Sequence, residues 1–309
     1  MLTLASLGRE EMLRRLTLSG PGLVLRTGPF RSRIRTDIAH LADTIALLYA
    51  DHPIEGEDGF ADFQLAFRRS GGLRRWYRPQ VRFDSDGRVP FQPLPLDQAF
   101  PMFEWVMNWC VSHHAHGYLI IHAAVLQRGN AGLILPAPPG SGKSTLCAAL
   151  SSRGWRLLSD ELTLVRPQDL ALLPLARPVS LKNESIGVLR SFAPQACFGP
   201  EVHGTTKGTI VHMRAPEASV VAAAGAEPAL ATHIVFPRYE ADAPVSLAPL
   251  PKARLFTALV DNAFNYPVLG PQGFDVLGRL VEGCSGYTFS YGRLEEAMAV
   301  FDGFAGGAA

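Results

Sequence analysis

Nine residues constrain this chain more than any other stretch: Ala137-Pro-Pro-Gly-Ser-Gly-Lys-Ser-Thr145. The apolar run Gly132-Leu-Ile-Leu135 leads into them and reads as a buried strand. A helical pattern follows from Lys143, with Leu146, Ala149 and Leu150 on one face and Gly154 to stop it. A strand, a Gly-rich loop and a helix in that order turn several backbone N–H groups towards one point at a helix N-terminus, which is a site for phosphate. The cradle comprises Ala137, Pro138, Pro139, Gly140, Ser141, Gly142, Lys143, Ser144 and Thr145. Gly140 and Gly142 supply the curvature, Lys143 reaches the outer phosphates, and Ser144 is the expected magnesium ligand, with Thr145 behind it. The G-x-x-x-x-G-K-[ST] pattern lacks its first glycine, where Ala137 stands; a methyl group is tolerated there if φ is negative. The competing explanation is a chance match on a Gly-rich turn. The strand before, the helix after and an acidic pair downstream argue against it.

That pair is Asp160 and Glu161, at the end of a short strand read at Arg156-Leu-Leu. A carboxylate at a strand's C-terminal end, facing a phosphate loop, can hold Mg²⁺ or accept the proton of an attacking hydroxyl. A helix cap or a salt bridge is the plainer alternative. His122 closes the strand Tyr118-Leu-Ile-Ile-His122 and is either a satisfied core histidine or part of the same site. The catalytic candidates are therefore Asp160, Lys143, His122 and Glu161, and the metal candidates Ser144, Glu161 and Asp160. Arg153, Arg156, Lys182, Lys207, Arg214 and Arg238 are cations available to phosphate. Lys182 and Lys207 lead because Leu-Lys-Asn and Thr-Thr-Lys-Gly suggest ordered loops. His113, His114 and His116 lack an acid or cysteine at useful spacing to complete a metal set.

The rest of the chain divides around this core. Residues 1–95 read as a small N-terminal α/β module, 96–116 as a linking helix, 117–302 as the phosphate-loop domain and 303–309 as a frayed tail. In the module, Asp37 is placed to cap a helix with Ile38, Leu41, Ile45 and Leu48 on one face. Val81 and Phe83, then Val89 and Phe91, alternate as strands around an Asp86-Gly87 turn. Residues 170–250 read as Pro- and Gly-rich with short strands. With 47% apolar and 18% charged residues the chain is globular rather than disordered. A net charge of +1 gives no field for nucleic acid. No apolar run approaches the ~20 residues of a membrane span, and no signal segment precedes Arg9, so neither a membrane nor a secretory route is expected and the location is taken as cytoplasmic. Cys110, Cys147, Cys197 and Cys284 are too dispersed for a disulfide framework.

Residues 117 to about 165 resemble the catalytic domain of bacterial HPr kinase/phosphorylase, and more closely the HprK-related kinase A group. The resemblance lies in His122-Ala123, in the loop Ala137–Ser144 and in Arg153-Gly-Trp-Arg-Leu-Leu-Ser-Asp-Glu161, which match a histidine strand, a G-x-x-G-x-G-K-S loop and an R-G-x-R-L-x-x-D-D segment. It extends more loosely through Pro178–Asn183, Thr206–Gly208, Phe236–Tyr239 and the C-terminal helices. It implies a fold of the phosphoenolpyruvate-carboxykinase kind, with a P-loop on a mixed sheet, and ATP with Mg²⁺ as the nucleotide pair. It implies transfer to a protein seryl hydroxyl, with Asp160 as the acid that takes the proton, Glu161 as the second acid near the metal, and an oligomer. Ala137, Ala123 and Glu161 depart from the family's Gly, Gly and Asp. The signature that accompanies HPr recognition and dephosphorylation is missing, so the expected acceptor is a serine of another protein or peptide. Kinase chemistry on a small molecule and a nucleotide-binding regulator without transfer are the alternatives.

Overall fold

The computed structural model describes residues 2–306 apart from Asp86 and Pro139. It is a mixed α/β protein containing a five-stranded, an eight-stranded and a three-stranded sheet. Pro139 of the expected cradle and Asp86 of the expected turn lie outside the described residues.

The N-terminal part runs α1 (Arg9–Leu16), β1 (Leu23–Thr27), β2 (Phe30–Thr36), α2 (Ala39–Leu48), β3 (Phe63–Arg69), β4 (Gln80–Asp84), β5 (Leu94–Pro95) and α3 (Ala99–His114). Its sheet has the order β1-β2-β3-β4-β5 and is antiparallel except between β2 and β3, the pair that α2 connects. Alternation places Leu23, Leu25, Ile34, Leu65, Phe67, Val81 and Phe83 in one core with Leu41, Ile45 and Leu48. Three expectations change here. Asp37 does not cap α2: its carboxylate accepts the Arg69 N–H at 3.1 Å, and Thr36 Oγ1 accepts the Ile38 N–H. Ser85 and Arg88 bond to each other across the expected turn, but no strand continues through Val89 and Phe91, and β4 lies between β3 and β5. The helix at 96–116 is more than a connector. Ala99, Met102, Phe103, Val106, Met107 and Cys110 of α3 are buried in the N-terminal core.

The larger part continues with β6 (Leu119–Arg128), β7 (Ala131–Pro136), α4 (Lys143–Ser152), β8 (Arg156–Ser159), β9 (Leu162–Val165), β10 (Leu172–Leu173), β11 (Val179–Lys182), α5 (Glu184–Phe192), β12 (Val202–Thr205), β13 (Gly208–Met213) and α6 (Glu217–Ala224). It ends with β14 (His233–Tyr239), β15 (Ser246–Pro249), α7 (Lys252–Val260), α8 (Tyr266–Leu269), α9 (Pro271–Gly283), β16 (Ser285–Tyr291) and α10 (Leu294–Gly306). The central sheet has the order β10-β9-β6-β7-β14-β16-β15, with β8 also on β6. β7, β14 and β16 are parallel, and β6 runs against β7, β8 and β9. β7 is buried along its whole length, as a strand covered on both faces must be. One layer, with α4 and α10, buries Leu146, Leu150, Trp155, Phe289 and Phe301; the other, with α7 and α9, buries Leu255, Leu259, Val276 and Leu280. β11, β13 and β12 form the three-stranded sheet beside α4 and α5. Residues 303–306, expected to fray, complete α10 behind Phe301.

The two parts are tied by buried and part-buried polar contacts. Arg177 lies 3.6 Å from the Glu104 carboxylate and donates to Asn108, while Tyr49 Oη donates to Glu104 at 2.5 Å. His52 Nε2 meets the Ala176 carbonyl at 2.9 Å, and Arg214 Nε donates to Asp51 at 2.9 Å. A β-carbon at Gly28 would meet the Pro174 carbonyl at 1.9 Å, so the backbones touch there.

Candidate functional site

Strand register gathers the expected residues at one end of the central sheet. Ala123 of β6 pairs with Pro136, the last residue of β7, and His122 pairs with Leu162, the first of β9. His122, the loop that follows β7 and the Asp160-Glu161 turn between β8 and β9 therefore share one sheet edge. The loop's curvature is glycine-dependent: Gly140 and Gly142 have φ of +87° and +85°. Gly142 also caps α4, and a β-carbon there would stand 2.7 Å from Tyr291 Oη and 2.8 Å from Tyr239 Cβ. Ala137 is buried and is not among the positive-φ residues, so its methyl group satisfies the condition set by the sequence.

Two tyrosines that sequence reasoning missed hold the loop. Tyr291 Oη donates to the Gly142 carbonyl at 3.1 Å, and the Tyr239 N–H donates to the Ser141 carbonyl at 2.9 Å. They close β16 and β14, which the parallel pairing delivers beside β7. That pairing brings them to the loop; Tyr239 ends a segment to which the resemblance loosely extends, whereas nothing in the sequence around Tyr291 marks its role.

Lys143 is buried at 6% exposure, and its ammonium donates to the Asp160 carbonyl at 2.7 Å. The same ammonium lies 3.8 Å from Glu161 Oε2. His122 Nε2 donates to that carboxylate oxygen at 3.0 Å. Burial works against ionisation of Glu161, but the His122 hydrogen bond and the Lys143 charge hold its carboxyl well below the ordinary range. Asp160 is driven the opposite way. Burial raises its pKa and the Glu161 charge adds to this, with Lys143 opposing. It is 5% exposed, with the Ser144 hydroxyl nearby, and among the described residues neither carboxylate oxygen has a partner at full hydrogen-bonding geometry. Adjacent acids with opposed proton affinities divide naturally into an ionised charge holder and a proton acceptor.

The loop opens on a cleft of about 1270 Å³ lined by His122, Pro138, Gly140–Thr145, Glu161, Ser180, Lys182, Lys207, the α5 face from Glu184 to Ser191, Tyr239, Tyr291 and Arg293. Among the cations, the structure separates the candidates. Lys182 and Lys207 line the cleft. Arg153 lies over the Phe192 ring at 4.8 Å, Arg156 donates to Gln127 and the Glu227 carbonyl, Arg214 pairs with Asp51, and Arg238 pairs with Glu240 at 2.7 Å. Asn183 fixes the lysine pair. Its φ of +52° with ψ of −126° lies outside the left-handed helical region that asparagine commonly visits, and its amide oxygen accepts the Thr209 N–H at 3.1 Å while its backbone N–H donates to the Thr209 carbonyl. It thereby clamps the β11 end that carries Lys182 to the hairpin that carries Lys207.

Asp160 lines a second cavity, of about 660 Å³, that lies between α3 and the end of β8 and shares Glu161, Ser180, Lys182 and Lys207 with the first. Among the described residues no three His, Cys, Asp or Glu form a metal site by themselves. A magnesium ion, which is held mainly by phosphate and water, needs only a hydroxyl and one or two acids. Ser144 and the orphaned carboxylate of Asp160 fit that requirement, with Glu161 next to them. No helix among the described residues is long and apolar enough to cross a membrane. Comparison with known protein families gives no match, and no curated protein matches the chain.

Proposed function

We propose that the chain is an ATP-dependent phosphotransferase with a P-loop domain of the HPr kinase/phosphoenolpyruvate-carboxykinase kind, acting on a seryl hydroxyl of a protein or peptide other than HPr. The observation that carries this is the meeting at one sheet edge of a left-handed glycine cradle, a buried lysine and two acids whose proton affinities are shifted in opposite directions. The cradle's amides and Lys143 stabilise charge on the outer phosphates. Ser144, with Asp160 or Glu161, would hold Mg²⁺, whose charge would neutralise the phosphate oxygens. Asp160 accepts the seryl proton as the seryl oxygen bonds to the γ-phosphorus. The bond from that phosphorus to the β-phosphate oxygen breaks, and ADP leaves with the electron pair. Glu161, kept ionised by His122 and Lys143, holds the lysine beside the transferring group. Lys182 and Lys207 enter from the facing wall.

The test is transfer itself. Purified protein with Mg²⁺ and γ-labelled ATP is incubated with a lysate of its host, beside Asp160→Asn. A labelled protein band that disappears in the variant is expected. Label confined to small metabolites, or no transfer by a protein that binds ATP, overturns the proposal.

A further inference from the structure

The second cavity has the shape of a trough. One wall is a single face of α3: Pro101, Glu104, Trp105, Asn108, Trp109 and Ser112, spaced three and four apart, all line it. The opposite face of that helix is buried in the N-terminal core, so the wall is fixed. The eleven residue steps from Pro101 to Ser112 span about 16 Å, the length of about five residues of extended chain. The floor holds two charged groups that are more than nine-tenths buried and incompletely partnered. Among the described residues, Asp160 has both carboxylate oxygens without a hydrogen bond of full geometry, and Arg177 has Nη1 without one. The charge of Arg177 is already balanced by Glu104 at 3.6 Å. The aromatic surface keeps open faces: Trp105, packed on one side against Phe91, is 47% exposed, and Phe264, beside the His122 ring, is 53% exposed. Soluble proteins seldom leave such surface open beside a buried acid without a use for it.

We propose that this trough is the acceptor site: it takes a peptide segment in extended conformation, presents its serine to Asp160, and selects an aromatic or large apolar residue within about four positions of that serine. The proposal rests on the phosphotransfer reading for its chemistry and goes beyond it in naming the acceptor's form. The trough's length favours a chain segment over a compact metabolite, and a balanced Arg177–Glu104 pair favours apolar over acidic flanking residues. Trp105 and Trp109 supply stacking surface, and Ser180, Lys182 and Lys207 form the seam where acceptor and nucleotide meet. The N-terminal part of the chain, through α3, is accordingly a substrate-reading element.

The test uses the full chain and a library of serine-centred peptides randomised at the flanking positions, read in two ways. One is label from γ-labelled ATP; the other is retention of peptides by protein loaded with a non-hydrolysable ATP analogue. Wild type and Trp105→Ala are compared, with nucleotide affinity as the folding control. Enrichment of aromatic or large apolar flanking residues is expected in both readouts. In the variant the KM for the selected peptides rises about tenfold, with kcat little changed. Peptides retained through Trp105 but never labelled leave the trough standing and overturn the transfer chemistry. Peptides labelled without flanking preference, or equally well by the variant, overturn the trough and leave the chemistry standing. No Trp105-dependent retention together with no label overturns the trough as well.

Discussion

Three glycines allow the geometry of the loop to be tested against backbone strain alone. Gly140, Gly142 and Gly154 share φ of +87°, +85° and +89°, so alanine at any of them pays the same left-handed penalty of about 1–2 kcal/mol. Their surroundings differ. A β-carbon at Gly140 or Gly154 meets nothing within 4 Å, whereas at Gly142 it stands 2.7 Å from Tyr291 Oη and 2.8 Å from Tyr239 Cβ. Gly142→Ala must therefore also displace both tyrosines and break the Tyr291 bond to the Gly142 carbonyl, for about 1 kcal/mol more at least. For a chain of this size an unfolding entropy of ~2.1 cal/mol/K per residue converts 1 kcal/mol to about 1.5 °C. Thermal unfolding followed by circular dichroism should show losses of about 2 °C for Gly154→Ala and Gly140→Ala, and about 4 °C for Gly142→Ala. Titration with a fluorescent ATP analogue should leave Gly154→Ala unchanged and weaken both loop variants, Gly142→Ala the more, because Gly142 opens α4. If Gly142→Ala were no worse than Gly154→Ala in both assays, the tyrosine clamp would have no part in shaping the loop.

Other outcomes follow from the buried charges. Burial lowers the pKa of His52 to about 4 and that of His212 to about 3, so both are neutral in the fold and take up protons on unfolding below about 6.5. The stability they permit is complete above that pH and falls by about 1.4 kcal/mol per unit for each histidine as pH drops, or about 4 kcal/mol for the two between neutral and pH 5. His212→Leu should recover about half of that loss in urea denaturation at pH 7 and 5, and an unchanged difference would contradict the assignment. Arg177→Met strands Glu104 in the core and should cost about 3–5 kcal/mol in chemical denaturation. Adding Glu104→Gln should restore most of it, and strict additivity would show that the pair is not coupled.

The site's local half was readable in the sequence because its parts lie on either side of one strand–loop–helix unit. A glycine at each left-handed position of the loop, a lysine at the first turn of α4 and acids in the two positions after β8 follow from local rules of chain geometry. The other half depends on pairing between distant segments. Tyr239 and Tyr291 meet the loop because β14 and β16 are parallel to β7, and Arg177 meets Glu104 across 73 positions of chain. α5 and α6 were hidden by composition. Gly187 interrupts the helical pattern of the first, and the second is a run of alanine and valine without a polar stripe. The expectation of a strand through Val89 and Phe91 failed for a related reason: Phe91 is used as a packing surface for Trp105, at 4.2 Å between ring centroids, instead of in a ladder. Aromatic alternation marks burial, and burial alone does not choose the partner.

The central claim is that residues 137–145 hold the phosphates of a nucleotide. Calorimetric titration of the full chain with ATP and Mg²⁺, beside Lys143→Ala, tests it most directly. One ATP per chain is expected, with affinity at least tenfold lower in the variant. No binding by the wild-type chain, or equal affinity in the two proteins, would contradict the account.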